Sequence, residues 1–117
     1  MASVSEQTAG YLAELYEPGC TRERLKADAE RIRVAVEALA AAGEPIRYVD
    51  SLLLPDEGTA LHLLEARGPE AVARALADAG LEAERISRAI APSGAPGGFA
   101  GTRDGGRPAA RGRTLEP

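Results

Sequence analysis

Four short stretches of the chain have the apolar patterning of β-strands. Residues 10–16 and 84–90 alternate between two sets of side chains, and residues 45–54 and 59–66 are extended, largely apolar runs. Between the two middle runs lies Pro-Asp-Glu-Gly, at residues 55–58, whose composition is typical of a tight turn. The pattern therefore predicts a β-hairpin from the middle pair, with one strand before it and one after it. A short helix also fits the last stretch.

Residues 22–42 repeat apolar side chains every three or four positions, as one face of an α-helix does. Thr21 is a favourable N-cap residue, and Glu23 places a negative charge in the first turn, where the helix dipole stabilises it. Gly43 suits the left-handed conformation that ends many helices. The sequence therefore predicts one long helix, whose apolar stripe is formed by Leu25, Ala29, Ile32, Val36 and Leu39.

A second helix is predicted after the hairpin, from Pro69, which suits the first helical position, to Gly80, which ends it. Its apolar face is formed by Val72, Ala75, Leu76 and Ala79. The predicted order of elements is therefore β-α-β-β-α-β. Two split β-α-β units with right-handed crossovers give the ferredoxin-like fold of the α+β class, a four-stranded antiparallel sheet with both helices on one face.

The second face of the predicted sheet has no helix to cover it. Leucine, tyrosine and histidine side chains there would form a large exposed apolar patch. Two such sheets packed face to face would remove the patch from water, so we predict a homodimer of the dimeric α+β-barrel kind, with a ligand in the cavity between the sheets. The absence of tryptophan favours the same prediction, because a small aliphatic core often needs a partner to complete its burial.

Composition and charge narrow the class of protein. The 117-residue chain has a net charge of −4 and no basic stripe with interleaved aromatic residues, so no nucleic-acid surface is predicted. One cysteine fits a reducing compartment. No stretch has the pattern of a signal peptide or a membrane span. We therefore predict a cytoplasmic protein without a membrane partner, and the Ala-, Arg- and Gly-rich composition is typical of high-GC bacteria.

The ends of the chain differ from its middle in composition. In residues 92–117, Gly and Pro are frequent and apolar residues are too few to offset the entropy of ordering. We predict a flexible N-terminus at residues 1–8, one domain at residues 9–91 and a disordered tail at residues 92–117. The tail is either a solvated segment or an arm that contacts an acidic partner, since it carries Arg103, Arg107, Arg111 and Arg113.

His62 is the only histidine in the chain. It is predicted to share one face of its strand with Ala60, Leu64 and Ala66, while Glu65 points to the other face. On the cavity side of the sheet His62 could bind a metal or transfer a proton, whereas on the helix side it would be a hydrogen-bonded core residue. The turn before the strand decides the face, and the sequence leaves both alternatives open.

Three carboxylates and a tyrosine supply the other candidates. Glu14 and Glu65 lie on strands predicted to be neighbours, where they either perform acid–base or metal chemistry or pair with arginines at the rim. Asp50 and Tyr48 are two positions apart and are predicted to share a face. If the protein is an enzyme, its predicted catalytic residues are Glu14, Tyr48, Asp50 and His62. If it binds a metal, the predicted ligands are His62, Asp50 and Glu14. The predicted pocket is lined by Leu12, Leu52, Leu64 and Glu65.

Two segments of the chain resemble a known family. YLAELYEPG, followed by a long helix, and IRYVDSLLLPDEGTALHLLEARGPEAVARALADAGLEAERI are similar to the small bacterial nickel-binding-protein family, most of whose members are domains of unknown function. The resemblance spans residues 10–91. Its most specific pieces are the strand with Glu14 that ends in Pro-Gly, the Leu-Leu-Glu-Ala strand end with Glu65, and the course of the last helix and strand.

The resemblance implies a ferredoxin-like fold, a dimer, and a metal or small-molecule site. In family members that bind nickel, one histidine lies on the second strand and another in the second helix, at positions that correspond to Asp50 and Ala75 here. Asp50 can ligate a hard cation, but Ala75 cannot ligate anything, and nickel prefers imidazole nitrogen to an oxygen-only shell. The leucines of the hairpin favour a more apolar cavity.

Three functions are consistent with these features. The first is a binding module, a dimeric α+β barrel that holds a divalent metal such as nickel or an apolar small molecule. The second is a small cofactor-free enzyme of a bacterial biosynthetic pathway, of the cyclase, isomerase or monooxygenase type, by analogy with other dimeric α+β barrels. The third is an interaction protein that uses its sheet face or its arginine-rich tail. The sequence favours the first.

Overall fold

The computed structural model describes residues 8–91 of the 117-residue chain. Its elements are strand β1 (Ala9–Tyr16), helix α1 (Arg22–Ala41), strand β2 (Ile46–Leu54), strand β3 (Thr59–Ala66), helix α2 (Pro69–Asp78) and strand β4 (Arg85–Ala89). The predicted elements are all present, and the last of them is a strand. The predicted tail and residues 1–7 of the predicted N-terminal segment lie outside the described residues. Neither described helix is long and apolar enough to cross a membrane.

The strands form one antiparallel sheet in the order β2-β3-β1-β4. With the two helices, this order is the ferredoxin-like arrangement that the sequence predicts. The β2–β3 connection is a 3-10 turn at Pro55–Glu57 that ends at Gly58, with a positive φ of 64°. A side chain at Gly58 would place its Cβ 3.2 Å from the Cα of Pro18, so both the left-handed conformation and the limited space favour glycine in this turn.

Both helices pack on one face of the sheet, which we call the helix face. The pairing register places Ala13 beside His62 and Leu15 beside Ala60 on it. Residues from both helices and from β1, β2 and β3 form a single buried cluster, which includes Ala13, Leu15, Ile32, Val36, Leu39, Ile46, Ala60, Leu64, Val72, Ala75 and Leu76. The predicted apolar stripes of both helices are therefore confirmed. We call the opposite side of the sheet the open face.

Local interactions mark the ends of the helices. Thr21 caps α1 as predicted, because the backbone N–H of Arg24 donates to its hydroxyl oxygen at 3.1 Å. Gly80 follows α2 with a positive φ of 80°. Arg31 donates from Nη2 to the carbonyl oxygen of Ala79 at 2.6 Å, so the end of α2 is joined to the middle of α1. This bond satisfies one of the carbonyl groups that a helix end leaves without a partner.

Candidate functional site

His62 lies at the centre of β3, on the helix face, and is fully buried. Its Nδ1 atom is 3.0 Å from the hydroxyl oxygen of Tyr48, and the tautomer of the ring decides which of the two donates. Among the described residues, its Nε2 atom has no hydrogen-bond partner. His62 therefore lies on the helix face, which is one of the two alternatives that the sequence left open.

Burial controls the ionisation of this pair. Removal from water lowers the pKa of His62 to about 4, because apolar surroundings disfavour the charged imidazolium, and the negative charge of Asp28 offsets only part of that effect. Burial also raises the pKa of the Tyr48 hydroxyl above its ordinary value of 10. The guanidinium carbon of Arg33 lies 4.9 Å from the centre of the Tyr48 ring. Both members of the Tyr48–His62 pair are therefore neutral at pH 7.

Tyr48 and Asp50 lie on opposite faces of the sheet, so the prediction that they share a face is wrong. Tyr48 pairs with Leu64 and Asp50 pairs with Leu63, so two steps along β2 correspond to one step along β3. This register shift is a β-bulge, with Val49 as the extra residue. As a result Tyr48 lies on the helix face beside His62, and Asp50 lies on the open face.

Glu14 and Glu65 lie on neighbouring strands and on the same open face, but at different ends of it. Glu14 pairs with Leu61, whereas Glu65 pairs with Gly10. The offset of four residues along β1 corresponds to about 13 Å. The sheet therefore does not bring the two carboxyl groups together.

The surroundings of the two glutamates also differ. Glu14 is directly opposite Arg85 of β4. Glu65 is only 3% exposed, and its Oε1 atom lies 3.8 Å from Nε of Arg47. Pairing with an arginine was one of the two alternatives that the sequence left open for this residue. The second oxygen of Glu65, Oε2, is buried and has no hydrogen-bond partner among residues 8–91.

The predicted pocket residues do not form one surface. Leu12, Leu52 and Glu65 lie on the open face, but Leu64 is fully buried on the helix face and packs in the core. The sequence prediction of Leu64 as a pocket residue is therefore corrected. Because side chains alternate along a strand, its neighbour Leu63 occupies the open face in its place.

The open face carries a continuous group of apolar side chains across β1, β2 and β3. Leu54 and Tyr16 flank Thr59 in one cross-strand row, Leu52 is beside Leu61 in the next, and Leu63 is beside Leu12 in the third. Tyr16 and Leu52 are each 63% exposed and Leu54 is 41% exposed. We call this group the open-face patch; its members are Leu12, Tyr16, Leu52, Leu54, Leu61 and Leu63.

The predicted metal ligands are not gathered into one site. Within residues 8–91, no three His, Cys, Asp or Glu side chains form a group that could hold a metal ion. His62 lies on the helix face, whereas Asp50 and Glu14 lie on the open face. Ala75, at the position of the family's second histidine, is a fully buried core residue.

One buried carboxylate was not predicted from the sequence. Asp28 of α1 is fully buried, and its Oδ1 atom accepts hydrogen bonds from Nε of Arg24 at 3.3 Å and from Nη1 of Arg31 at 3.4 Å. A signal for its burial was present, since position 28 lies three residues after Leu25 and four before Ile32, within the apolar stripe. Burial, and after it the nearby Asp28 carboxyl group, raise the pKa of Glu17, a residue that was also not predicted from the sequence.

No protein-family model matches the chain, and no curated protein matches it. The fold is similar to the crystal structure of SCO4226 from Streptomyces coelicolor A3(2). The two chains are 27% identical, the match covers 69% of this chain and 95% of that one, and the TM-score is 0.58. This similarity supports the ferredoxin-like α+β fold, and it does not establish membership of the nickel-binding-protein family.

Proposed function

We propose that the protein is a homodimer that binds an apolar small molecule between the open faces of its two sheets. The observation that carries this proposal is the open-face patch, which leaves Tyr16, Leu52 and Leu54 exposed on the side of the sheet opposite both helices. Continuous apolar patches on soluble proteins usually mark an interaction or ligand-binding surface.

A second copy of the same face is a suitable partner for this patch. Sheets stack face to face at about 10 Å, which leucine and tyrosine side chains can fill. Charges of both signs accompany the patch, since Glu14 is opposite Arg85 and Arg47 lies near Glu65. A two-fold axis brings equivalent surfaces together, so these mixed charges can pair across the interface instead of repelling one another.

The geometry of such an interface favours a cavity lined by leucine. Twisted sheets that pack face to face diverge at their corners. The β-bulge at Val49 increases the twist of β2, the edge strand that carries Leu52 and Leu54. Because the patch is aliphatic apart from Tyr16, the space between the diverging parts suits an apolar ligand.

The metal-binding and enzymatic hypotheses have less support in the described residues. A metal ion would need the predicted ligands on one face, and they lie on two. Of the predicted catalytic residues, Tyr48 and His62 are the ones within hydrogen-bond distance of each other, and both lie on the helix face. No specific observation therefore favours the enzymatic alternative.

Native mass spectrometry of the full chain as purified tests the proposal. We expect a dimer that carries the additional mass of an organic ligand. A monomer would overturn the proposed assembly and the site with it. A dimer without additional mass, which remains empty when incubated with a panel of apolar small molecules, would contradict the proposed ligand but not the proposed dimer.

A pair of matched variants locates the interface. Leu52→Glu introduces a charge into the open-face patch, whereas Val34→Glu introduces the same charge on α1, at a side chain of similar exposure, 57% against 63%. We expect Leu52→Glu to be a folded monomer without ligand, and Val34→Glu to remain a loaded dimer. Dissociation by Val34→Glu alone would contradict an interface on the open face.

A further inference from the structure

Glu65 has a buried oxygen atom without a hydrogen-bond partner. The residue lies near the end of β3 and on the open face, yet its side chain is only 3% exposed. Its Oε2 atom is buried and accepts no hydrogen bond from any residue that the structure describes. Most buried polar side-chain atoms in folded proteins have such a partner, and an exception needs an explanation. Glu65 therefore presents an acceptor for a donor that residues 8–91 do not supply.

Arg47 balances the charge of Glu65 without satisfying Oε2. Its Nε atom lies 3.8 Å from Oε1, the other oxygen, which is beyond hydrogen-bond distance. The Arg47 side chain is 58% exposed, so packing does not fix its position. An ionised carboxylate only accepts hydrogen bonds, so the missing partner is a donor. Because one cation already lies beside the carboxylate, a neutral donor such as a hydroxyl group suits Oε2 better than a second cation.

The sheet places Glu65 beside the open-face patch. Glu65 pairs with Gly10 of β1, and Gly10 pairs with Ala89 of β4, so the row beyond Glu65 carries no side chain larger than a methyl group. The adjacent row on the same face contains Leu63 and Leu12 of the patch. Two residues along a strand span about 7 Å. The carboxyl group and the leucines can therefore contact opposite ends of one small molecule.

We propose that Glu65 is the polar anchor of the ligand site, and that the ligand is an apolar molecule with a hydroxyl group, which donates a hydrogen bond to Oε2. This inference rests on the ligand site proposed between the open faces, and it adds the chemical class of the ligand, an alcohol or a phenol. The leucines of the open-face patch contact the apolar part of the molecule. Because the hydroxyl group donates to a charged acceptor away from water, the site discriminates against a ligand of the same shape that lacks the donor.

Stability measurements distinguish a ligand-binding role of Glu65 from a structural one. A buried acceptor without a donor destabilises the folded protein. An apolar side chain of similar size removes that cost, and Arg47 stays solvated because most of its side chain is exposed. We therefore expect Glu65→Leu to raise the thermal unfolding midpoint of the ligand-free protein by a few degrees. A midpoint lowered by several degrees would show that the pair with Arg47 is structural, and would overturn the proposal.

Matched pairs of probes test the donor on the full chain. The isomers n-nonanol and methyl octyl ether differ in that only the alcohol can donate, and a naphthol with its methyl ether forms a second, rigid pair. By isothermal titration calorimetry, the hydroxyl compound of each pair that binds should bind about 10-fold more tightly. Equal affinities within the pairs would overturn this inference and leave the proposed apolar site intact. A protein that binds none of these compounds would contradict the apolar site as well.

Three variants assign the preference for a hydroxyl group to Glu65. In Glu65→Leu, the affinities of the alcohol and the ether should differ by less than about 2-fold. Glu65→Gln keeps an acceptor but no charge, so it should retain only part of the preference, and it serves as the test if Glu65→Leu does not fold. Glu30→Gln, on α1 at a side chain that is 70% exposed, should keep the full preference. An undiminished preference in both Glu65 variants would overturn the assignment.

A crystal structure of the complex with the tighter-binding hydroxyl compound identifies the donor at Oε2. We expect the hydroxyl oxygen of the ligand at about 2.7 Å from that atom. A water molecule that stays on Oε2 when the ligand is bound, or a donor from the partner subunit at the same atom, would overturn the proposal.

Discussion

Both faces of the sheet carry apolar side chains, but those of the helix face are buried and those of the open face are partly or mostly exposed. On the helix face, Ala13, Ala60 and Leu64 are fully buried beneath the helices. On the open face, Leu52 and Tyr16 are mostly exposed, although they belong to the same sheet. Alternation along a strand distributes apolar side chains to both sides. The difference therefore comes from what packs above each face, and apolar content alone does not distinguish a buried face from an exposed one.

The polar residues of the two faces differ in the same way. The helix face buries an uncharged pair, Tyr48 and His62, whose hydrogen bond at 3.0 Å offsets part of the cost of burial. The open face carries formal charges, with Glu14 opposite Arg85 and the Oε1 atom of Glu65 3.8 Å from Arg47. The Tyr48–His62 pair is buried in neutral form, whereas the carboxyl group of Glu65, which is only 3% exposed, lies near a cation that offsets the cost of its burial.

Of the substitutions that test the difference between the two faces, Ile32→Asp should have the largest effect on stability. Ile32 is fully buried under the sheet, so an unpaired carboxylate there should cost more than about 4 kcal/mol and abolish folding. Leu52→Asp, the matching change on the open face, should retain the far-ultraviolet circular dichroism of the folded subunit. A soluble Ile32→Asp protein with a cooperative melting transition would contradict the assignment of the helix face.

The burial of His62 should make the protein less stable at low pH. The unfolded chain binds a proton near pH 6.5, but the folded chain binds it only near 4. Between these values the unfolded state holds more protons, so the free energy of unfolding should fall by about 3 kcal/mol as the pH drops. Urea denaturation across this range, compared with His62→Gln, isolates the effect because the chain has no other histidine. Parallel pH profiles for the two proteins would be inconsistent with a buried neutral imidazole.

Two consecutive leucines offer the sharpest test of the faces. Leu64 is fully buried on the helix face, and Leu63 lies on the open face. In the Leu52→Glu background, which is expected to be monomeric, Leu64→Ala should cost about 3 kcal/mol and Leu63→Ala about 1 kcal/mol. Chemical denaturation measures both. Equal costs would mean that both faces of β3 are packed to the same degree within one subunit.

The smallest effects of this series are expected from two Tyr→Phe substitutions, and the larger of the two from Tyr48→Phe. It removes the hydroxyl partner of His62 and leaves the buried Nδ1 atom unpaired, at a cost of about 1 kcal/mol. Tyr16→Phe, at a 63% exposed side chain on the open face, should change stability by less than about 0.5 kcal/mol. The difference between the two variants in urea denaturation measures the hydrogen bond. A larger loss of stability in Tyr16→Phe than in Tyr48→Phe would contradict the prediction that the buried tyrosine hydroxyl contributes more than the exposed one.

Most of the fold was predictable because its signals are local. Thr21, Pro69 and Gly80 mark helix ends through their own backbone and side-chain chemistry. The spacing of Ile32 and Val36 identifies the buried stripe of α1 without knowledge of what covers it. Each of these signals operates within a few residues of the chain.

The site was less predictable because its geometry depends on pairing between distant segments. One extra residue at Val49 separates Tyr48 from Asp50, and the extended run around it contains no signal for a bulge. Asp28, in the second turn of a helix, lies near enough to Glu17, just after the end of a strand, to raise its pKa, and periodicity does not reveal this proximity. Proximity of this kind is set by packing.

The sequence by itself determined the order of the elements, their caps and which residues of each helix are apolar, since these follow from local propensity and periodicity. Only the tertiary structure decided that His62 lies beneath the helices, that Leu64 belongs to the core and Leu63 to the open face, and that Asp28 is buried. The physical reason is that strand register is fixed by hydrogen bonding between chain segments far apart in sequence, and a shift of one residue exchanges the two faces of a strand.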